Sequence, residues 1–205
     1  GEETGLLEAI EGKRGWPRLK PPFPAIKGLF GRPTIVNNVE TLAAIPHIIE
    51  RGATWWTGIG CESTIGQPAS YGTKLIGVSG HVNRPGVFEV GLGARIDQLI
   101  ERDDYCQGMK GGRAYKACIP GGVSMGILDQ SEYAAELDFD IGRKYGIMGL
   151  GTACPTMFDE GTDMVMVARN IARFFMNESC GQCTPCREGS QWVYKLLVKL
   201  EQGHA

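Results

Sequence analysis

Apolar side chains recur at helical spacing in four stretches of the chain. The first stretch covers residues 2–11, and the second follows the Asn-Asn pair at 37–38, which predicts a helix cap. We expect Pro46 to kink this second helix or to end it early, because proline has no backbone N–H. The third stretch begins near Thr162 and the fourth follows Pro185. Both ends of the chain are therefore predicted to be helical.

The middle of the chain has strand-like patterns instead. Residues 73–79 and 87–90 are rich in apolar and β-branched side chains, and the turn-forming sequence NRPG lies between them. A short helix is predicted over 95–102 and a further strand over 115–119. A hairpin, a helix and a strand in close succession predict a small α+β domain, because one helix covers one face of such a sheet.

Composition is typical of a globular protein and excludes several function classes. The 205 residues are 42% hydrophobic and 21% charged, which argues against a disordered or coiled-coil chain. The formal net charge of −2 argues against nucleic acid as the main partner, because phosphate binding needs a basic surface. No apolar run approaches the roughly 18 residues of a membrane helix. The chain opens on Gly1, and we expect it to be an internal piece of a longer protein.

Three of the seven cysteines form the strongest local signal. Cys180, Cys183 and Cys186 have C-x2-C-x2-C spacing at the predicted junction of two helices. This spacing favours an iron–sulfur cluster, because thiolates are the usual ligands of its iron atoms. A zinc site, a dithiol redox pair and inert buried thiols are the alternatives. A four-iron cluster needs a fourth thiolate, and the spacing does not select one from the other cysteines, which are Cys61, Cys106, Cys118 and Cys154.

Five stretches, in this order, resemble one known family. They are GEETGLLEAIEG at 1–12, RLKPPFPA at 18–25, PTIVNNVETLA at 33–43, GTKLIGVSGHVNRPG at 72–86 and ESCGQCTPCREG at 178–189. Together they resemble the flavin-carrying, NADH-binding F-type subunit of bacterial respiratory complex I, an NADH:quinone oxidoreductase. The same type of subunit recurs in NAD-dependent formate dehydrogenases and NAD-reducing hydrogenases.

The resemblance implies an α+β chain with three parts. Residues 1–71 would be the C-terminal part of an α/β domain that binds FMN and NADH. Residues 72–155 would be a β-grasp (ubiquitin-like) domain, and residues 156–205 would open a helical bundle that binds a [4Fe-4S] cluster. The family's glycine-rich flavin loop and its fourth cluster cysteine have no counterpart in the chain. We therefore expect the 205 residues alone to be inactive.

The family also implies contacts with the nucleotide. Gly1 and Glu2 match an acidic motif beside the flavin, and Glu3 matches a carboxylate near the bound NADH. Lys20 and Phe23 match positions that line the nicotinamide-nucleotide pocket, where a cation suits an anion and an aromatic ring suits a stacked base. Without the family, Lys20 would be interpreted as a solvated charge and Phe23 as a loop aromatic that packs inward.

Flavin and cluster contacts fall on two further motifs. The family's flavin contacts match Val36, Asn37, Asn38 and Thr41, at the start of a predicted helix whose free backbone N–H groups suit an anion. Without the family, the Asn pair would be interpreted as a plain helix cap. The cysteines of the C-x2-C-x2-C motif match three of the family's cluster ligands. The implied cofactors are therefore FMN and a [4Fe-4S] cluster, with NAD as substrate.

The implied function is oxidation of NADH. A hydride would pass to FMN, and electrons would leave singly through the cluster, in complex I toward quinone. The expected partners are the other subunits of such an assembly, especially its thioredoxin-like [2Fe-2S] subunit. The expected location is cytoplasmic and peripheral to the inner membrane. The alternatives are a diaphorase subunit of a formate dehydrogenase or hydrogenase, and a non-catalytic interaction module held together by zinc.

Overall fold

Short strands and helices alternate along the computed structural model, which describes residues 1–204. The strands are β1 (Gly60–Cys61), β2 (Ser70–Tyr71), β3 (Thr73–Gly80), β4 (Gly86–Gly91), β5 (Ala94–Arg95), β6 (Tyr115–Ile119), β7 (Leu128–Asp129), β8 (Glu136–Leu137) and β9 (Thr156–Asp159). The α-helices are α1 (Glu3–Ile10), α2 (Val39–Arg51), α3 (Ala53–Thr57), α4 (Ile96–Glu101), α5 (Ile141–Tyr145), α6 (Met164–Glu178) and α7 (Ser190–Glu201). A π-helical turn, Pro185–Gly189, directly precedes α7.

These elements form two compact units. The central unit is Ile48–Met164, and the terminal unit combines Gly1–His47 with the described residues from Val165 onward. The central unit contains a five-stranded sheet in the order β4-β3-β9-β6-β7, together with the two-stranded pairs β1-β2 and β5-β8. The chain is therefore a mixed α+β structure, as its hydrophobic pattern predicted.

The hairpin of β3 and β4 confirms one sequence prediction. The two strands are antiparallel, with Leu75 opposite Glu89, and β6 spans Tyr115–Ile119 as predicted. The sequence did not predict β9, which is parallel to β3 and antiparallel to β6 and lies between them. β9 begins one residue beyond the predicted end of the β-grasp domain at 155 and belongs to the same sheet.

One helix supplies much of the core of the central unit. On α4, Ile96, Leu99 and Ile100 are at most 1% exposed, which confirms the predicted helix and its apolar face. They belong to one buried cluster with Ile76 of β3 and Met157 of β9. Each such side chain contributes roughly 1.5–3 kcal/mol through its burial. This shared core holds the strands and the helix together.

The helices of the terminal unit bury little apolar surface. On α1, Leu7 is buried while Leu6 and Ile10 are about half exposed. α6 buries Ala172 alone, and α7 buries none of its side chains within residues 1–204. Helical spacing gives α7 an apolar face at Trp192, Leu196, Leu197 and Leu200, and none of these side chains is buried. Helical spacing defines an apolar face but does not specify what covers it.

Proline does not end α2. The helix continues through Pro46 to Arg51, so the expected early end is wrong. A proline removes the hydrogen bond to the carbonyl four residues earlier, here that of Leu42. None of the helices in the described part of the chain has both the length and the apolar character needed to cross a membrane.

Candidate functional site

Glu2 caps the first helix of the terminal unit. Its carboxylate accepts hydrogen bonds from the Thr4 hydroxyl at 2.5 Å and from the Gly5 N–H at 2.6 Å. The Thr4 hydroxyl is the main cause that lowers the pKa of Glu2 to about 2, and the Gly5 N–H and Lys20 add to it. Glu2 therefore carries a negative charge throughout the neutral pH range, at the positive end of α1.

Lys20 brings the two glutamates of this motif together. Its ammonium lies 2.9 Å from Oε1 of Glu3 and 3.3 Å from Oε1 of Glu2. The bond to Glu3 is the main reason that the pKa of Lys20 is raised. Phe23, three residues further along the loop, is 55% exposed. The expected inward packing of this ring as a loop aromatic is therefore absent, and its face is open to a ligand.

Arg18 fixes the loop of residues 13–34 against α1. Its guanidinium pairs with the carboxylates of Glu8 and Glu11, with 2.7 Å from Nη2 to Oε1 of Glu11. It also donates to the Gly28 carbonyl at 3.1 Å. Glu11 in turn accepts the N–H of Phe30 at 2.9 Å. The loop that carries Lys20 is therefore held at several points by side chains of the helix.

Two lowered pKa values predict acid sensitivity of this arrangement. Lys13, Arg18 and the Phe30 N–H lower the pKa of Glu11 to about 2, the same value as for Glu2. A carboxylate whose pKa is depressed by folding stabilises the fold above its unfolded pKa and loses this contribution as pH falls through the folded pKa. We expect the melting temperature of the full-length protein to fall between about pH 4.5 and pH 2, measured by circular dichroism. Glu11→Gln should flatten this dependence, and melting curves that stay parallel to the wild type across this range would contradict the prediction.

The predicted flavin contacts lie at the start of α2. Asn38 caps the helix, because its Oδ1 accepts the N–H of Glu40 at 2.8 Å and its carbonyl accepts the N–H of Leu42 at 3.1 Å. The capping prediction is therefore confirmed. Asn37 and Thr41 are exposed, and Val36 is half-buried. Gly1, which the resemblance also places beside the flavin, is exposed as well. The exposed side chains among them are open to a ligand, whereas the Glu40 N–H is already bonded to Asn38.

The cysteine motif occupies the turn between α6 and α7. Gly181 has φ of 78°, in the left-handed region that favours glycine. Arg187 closes the turn, since its guanidinium donates to the Gly181 carbonyl at 2.7 Å and to the Thr184 hydroxyl at 3.2 Å. Cys183 and Cys186 are exposed. The chain around the thiols is therefore ordered by its own hydrogen bonds.

The turn contains a feature that the sequence did not reveal. Cys186 lies in the π-helical turn Pro185–Gly189, and its carbonyl accepts the Ser190 hydroxyl at 2.6 Å. Its Sγ lies 3.3 Å from the Ser179 hydroxyl. Turns of this kind occur frequently at functional sites.

The donor set fits an iron–sulfur cluster in its chemistry. All three thiols are free, and two are exposed while Cys180 is half-buried. Among residues 1–204, however, no three histidine, cysteine or acidic side chains lie close enough together to hold a metal ion. The three side chains would therefore have to turn toward a common centre to hold a cluster.

The remaining cysteines lie in the central unit. Burial raises the pKa of Cys106 and Cys118 to about 11, so both thiols stay protonated at neutral pH. Both are part of the hydrophobic core. Cys61 is half-buried, and burial raises its pKa as well. Cys154 is exposed.

Comparison with known proteins agrees with the motif. Residues 166–205 match the family model described as the NADH-ubiquinone oxidoreductase-F iron-sulfur binding region. The whole chain is 47% identical to the NADH-quinone oxidoreductase F subunit of Rickettsia typhi. The chain is therefore similar over its whole length to part of the NADH-quinone oxidoreductase F subunits. The resemblance drawn from the sequence motifs is therefore confirmed.

The chain spans about half the length of the curated relatives that it matches. The alignment covers 47% of the Rickettsia typhi protein. The NADH-quinone oxidoreductase F2 subunit of Rhizobium meliloti is 47% identical over 203 residues, which are 99% of this chain and 46% of that protein. The fold is similar to that of an NAD+-reducing [NiFe]-hydrogenase in its air-oxidised state, with a TM-score of 0.81 and 36% identity over 98% of this chain and 33% of that one.

Proposed function

We propose that the chain is part of a subunit that oxidises NADH through FMN and passes the electrons to a [4Fe-4S] cluster, in complex I toward quinone. One observation carries the proposal. Three free thiols with C-x2-C-x2-C spacing lie on an ordered turn, inside the region that matches the family's iron–sulfur binding model. Thiolates at this spacing are the ligands that such a cluster requires.

Cys180, Cys183 and Cys186 would hold the cluster, with a fourth ligand from outside the chain. When bound, the cluster supplies a one-electron carrier between the flavin and the next acceptor. Arg187 and Gly181 shape the turn, since the guanidinium spans from the Gly181 carbonyl to the Thr184 hydroxyl. Exposure of Cys183 and Cys186 leaves room for a bulky group beside the turn.

Glu2, Glu3, Lys20 and Phe23 would bind the nucleotide. The ammonium of Lys20 already contacts both carboxylates, so it offsets the repulsion between the two glutamates and between them and an anionic group of NADH. The exposed ring of Phe23 offers a stacking surface for a base. The negative charges of Glu2 and Glu3 suit the ribose hydroxyls, which donate hydrogen bonds to carboxylates.

The flavin would lie against the start of α2. The exposed side chains of Asn37 and Thr41 and the backbone N–H groups of Val39 and Thr41 can donate to ring carbonyls or to a phosphate. Val36 is half-buried and would present an apolar contact to the ring. Asn38 would act mainly through its cap, which orients these N–H groups. Gly1 would lie at the flavin beside Glu2, where the absence of a side chain permits a close approach.

The parent protein would work within a larger assembly. We assign residues 1–71 to the FMN and NADH domain, 72–155 to a β-grasp domain and 156–205 to the start of the cluster-binding bundle. The partners would be the other subunits of a complex I-type assembly, including a thioredoxin-like [2Fe-2S] subunit. The parent would be cytoplasmic and attached to the inner membrane through that assembly.

Anaerobic addition of NADH to the purified full-length protein tests this proposal. We expect the flavin absorbance to bleach, and an iron–sulfur signal to develop in the electron paramagnetic resonance spectrum. NADPH at the same concentration serves as the comparison nucleotide. A protein whose flavin and cluster both stay oxidised with NADH, but become reduced with dithionite, would contradict the proposed activity.

A diaphorase subunit of an NAD-reducing hydrogenase is the second candidate. The similarity to the hydrogenase structure, with its TM-score of 0.81, supports it. The higher identity of 47% to the quinone-type relatives, against 36% to the hydrogenase, favours the complex I assignment. Subunits that co-purify with the native parent would distinguish the two candidates, because a [NiFe]-hydrogenase assembly contains nickel.

A further inference from the structure

Thr4 is a buried polar residue in the middle of the acidic motif. It is 1% exposed, and its hydroxyl has two partners. The hydroxyl donates to Oε2 of Glu2 at 2.5 Å and accepts the backbone N–H of Arg18 at 2.8 Å. One oxygen atom therefore connects the cap of α1 with a loop residue that lies 14 positions further along the chain.

Both sides of the Lys20 ion pair depend on this oxygen. Lys20 follows two residues after Arg18, so the hydrogen bond to the Arg18 N–H sets where the backbone before Lys20 lies. Oε1 of Glu2 lies 3.3 Å from the Lys20 ammonium. Oε2 of the same carboxylate accepts the hydrogen bond from the Thr4 hydroxyl. Thr4 thus orients the carboxylate and the loop that meet at Lys20.

We propose that Thr4 is a positioning residue of the NADH site, which places the Lys20 ammonium against Glu2 and Glu3. This inference rests on the proposed function. The hydroxyl is required because it is the one group at this position that both donates and accepts. A valine of similar volume would leave the Arg18 N–H without its partner and would remove one of the two hydrogen bonds that Oε2 of Glu2 accepts, whereas serine would retain both bonds of the hydroxyl.

Loss of this hydroxyl should have a local effect. The Arg18 side chain is held independently by Glu8 and Glu11, so the loop stays on α1 when the contact to Thr4 is absent. We expect the loss of the hydroxyl to change how precisely the Lys20 ammonium is positioned against Glu2 and Glu3. The variants can therefore be compared as folded proteins, with flavin content as the check.

NADH titration against the flavin absorbance of the full-length protein tests the inference. We expect Thr4→Val to weaken NADH binding about tenfold with unchanged flavin content, which is the usual effect of losing a hydrogen bond to a charged group. Thr4→Ser should restore the affinity to within about twofold of wild type. Thr34→Val is the matched control, because the Thr34 hydroxyl also accepts a loop N–H, that of Leu29 at 2.9 Å, but does not touch Glu2. Thr4→Val with wild-type affinity would overturn the inference.

A double-mutant comparison and a chemical label distinguish misplacement of Lys20 from a general loss of structure in the variant. In a Lys20→Ala background, Thr4→Val should have no further effect on NADH binding, and a fully additive loss would overturn the inference. Without NADH, acetylation of Lys20 measured by mass spectrometry should be faster in Thr4→Val and unchanged in Thr34→Val. A wild-type protein that binds no NADH would contradict the proposed function. In that case the acetylation rate of Lys20 still shows whether Thr4 positions this side chain.

Discussion

Cys183→Ser in the full-length protein should abolish its [4Fe-4S] cluster. We expect the iron content to fall from about four atoms per chain toward zero and the paramagnetic signal of the reduced cluster to disappear. Cys183 is the central cysteine of the motif and is exposed on the turn, so its loss leaves two separated thiols and opens one corner of the cluster to solvent. Serine is a poor iron ligand because its hydroxyl stays protonated at neutral pH. The flavin should be retained, because its proposed contacts lie in the first 41 residues.

Cys154→Ser is the matched control for this variant. Its thiol is also exposed but belongs to the central unit, outside the matched iron–sulfur region. We expect this protein to keep the wild-type iron content and spectrum. A Cys183→Ser protein with an unchanged spectrum and iron count would show that the motif does not bind the cluster.

Lys20→Ala should weaken NADH binding by at least about tenfold and Phe23→Ala by at least about fivefold, both without loss of flavin. Removal of Lys20 leaves the carboxylates of Glu2 and Glu3 without the ammonium that contacts both, so they would repel an anionic nucleotide. Loss of a charge-assisted hydrogen bond costs roughly 1.5–3 kcal/mol, and loss of aromatic stacking on a base costs about 1–3 kcal/mol. These energies correspond to the expected change in affinity.

The measurement is a titration of NADH against the flavin absorbance. Lys27→Ala is a suitable control, because it removes an exposed cation from the same loop outside the predicted set. Its affinity for NADH should equal that of the wild type. Equal affinity in all four proteins would leave Lys20 and Phe23 with a structural role only.

The parts of the fold that the sequence predicted correctly depend on local rules. The β3–β4 hairpin follows from alternating apolar residues around a Pro-Gly turn, and the buried face of α4 follows from helical spacing. The missed strand β9 is four residues long, and its place between β3 and β6 comes from pairing with strands distant in sequence. Local patterns carry little information about such pairing.

The candidate site also divides into features that local sequence predicts and features that depend on contacts between distant residues. The cysteine spacing and the family motifs identified positions that a ligand can reach, because both are visible within short segments. The role of Thr4 was not visible, since its partner Arg18 is 14 residues away and a threonine in the first turn of a helix has an ordinary explanation. Glu8 and Glu11 likewise resemble solvated helix residues until Arg18 is placed between them. Contacts between a helix and a loop require the three-dimensional structure.

Metal and sulfide analysis of the natively purified full-length protein is the decisive test of the proposed cluster site. We expect about four iron atoms and four acid-labile sulfides for each C-x2-C-x2-C motif, with Mössbauer parameters of a four-iron cluster. Stoichiometric zinc without sulfide would contradict it and would instead support the zinc-held, non-catalytic module.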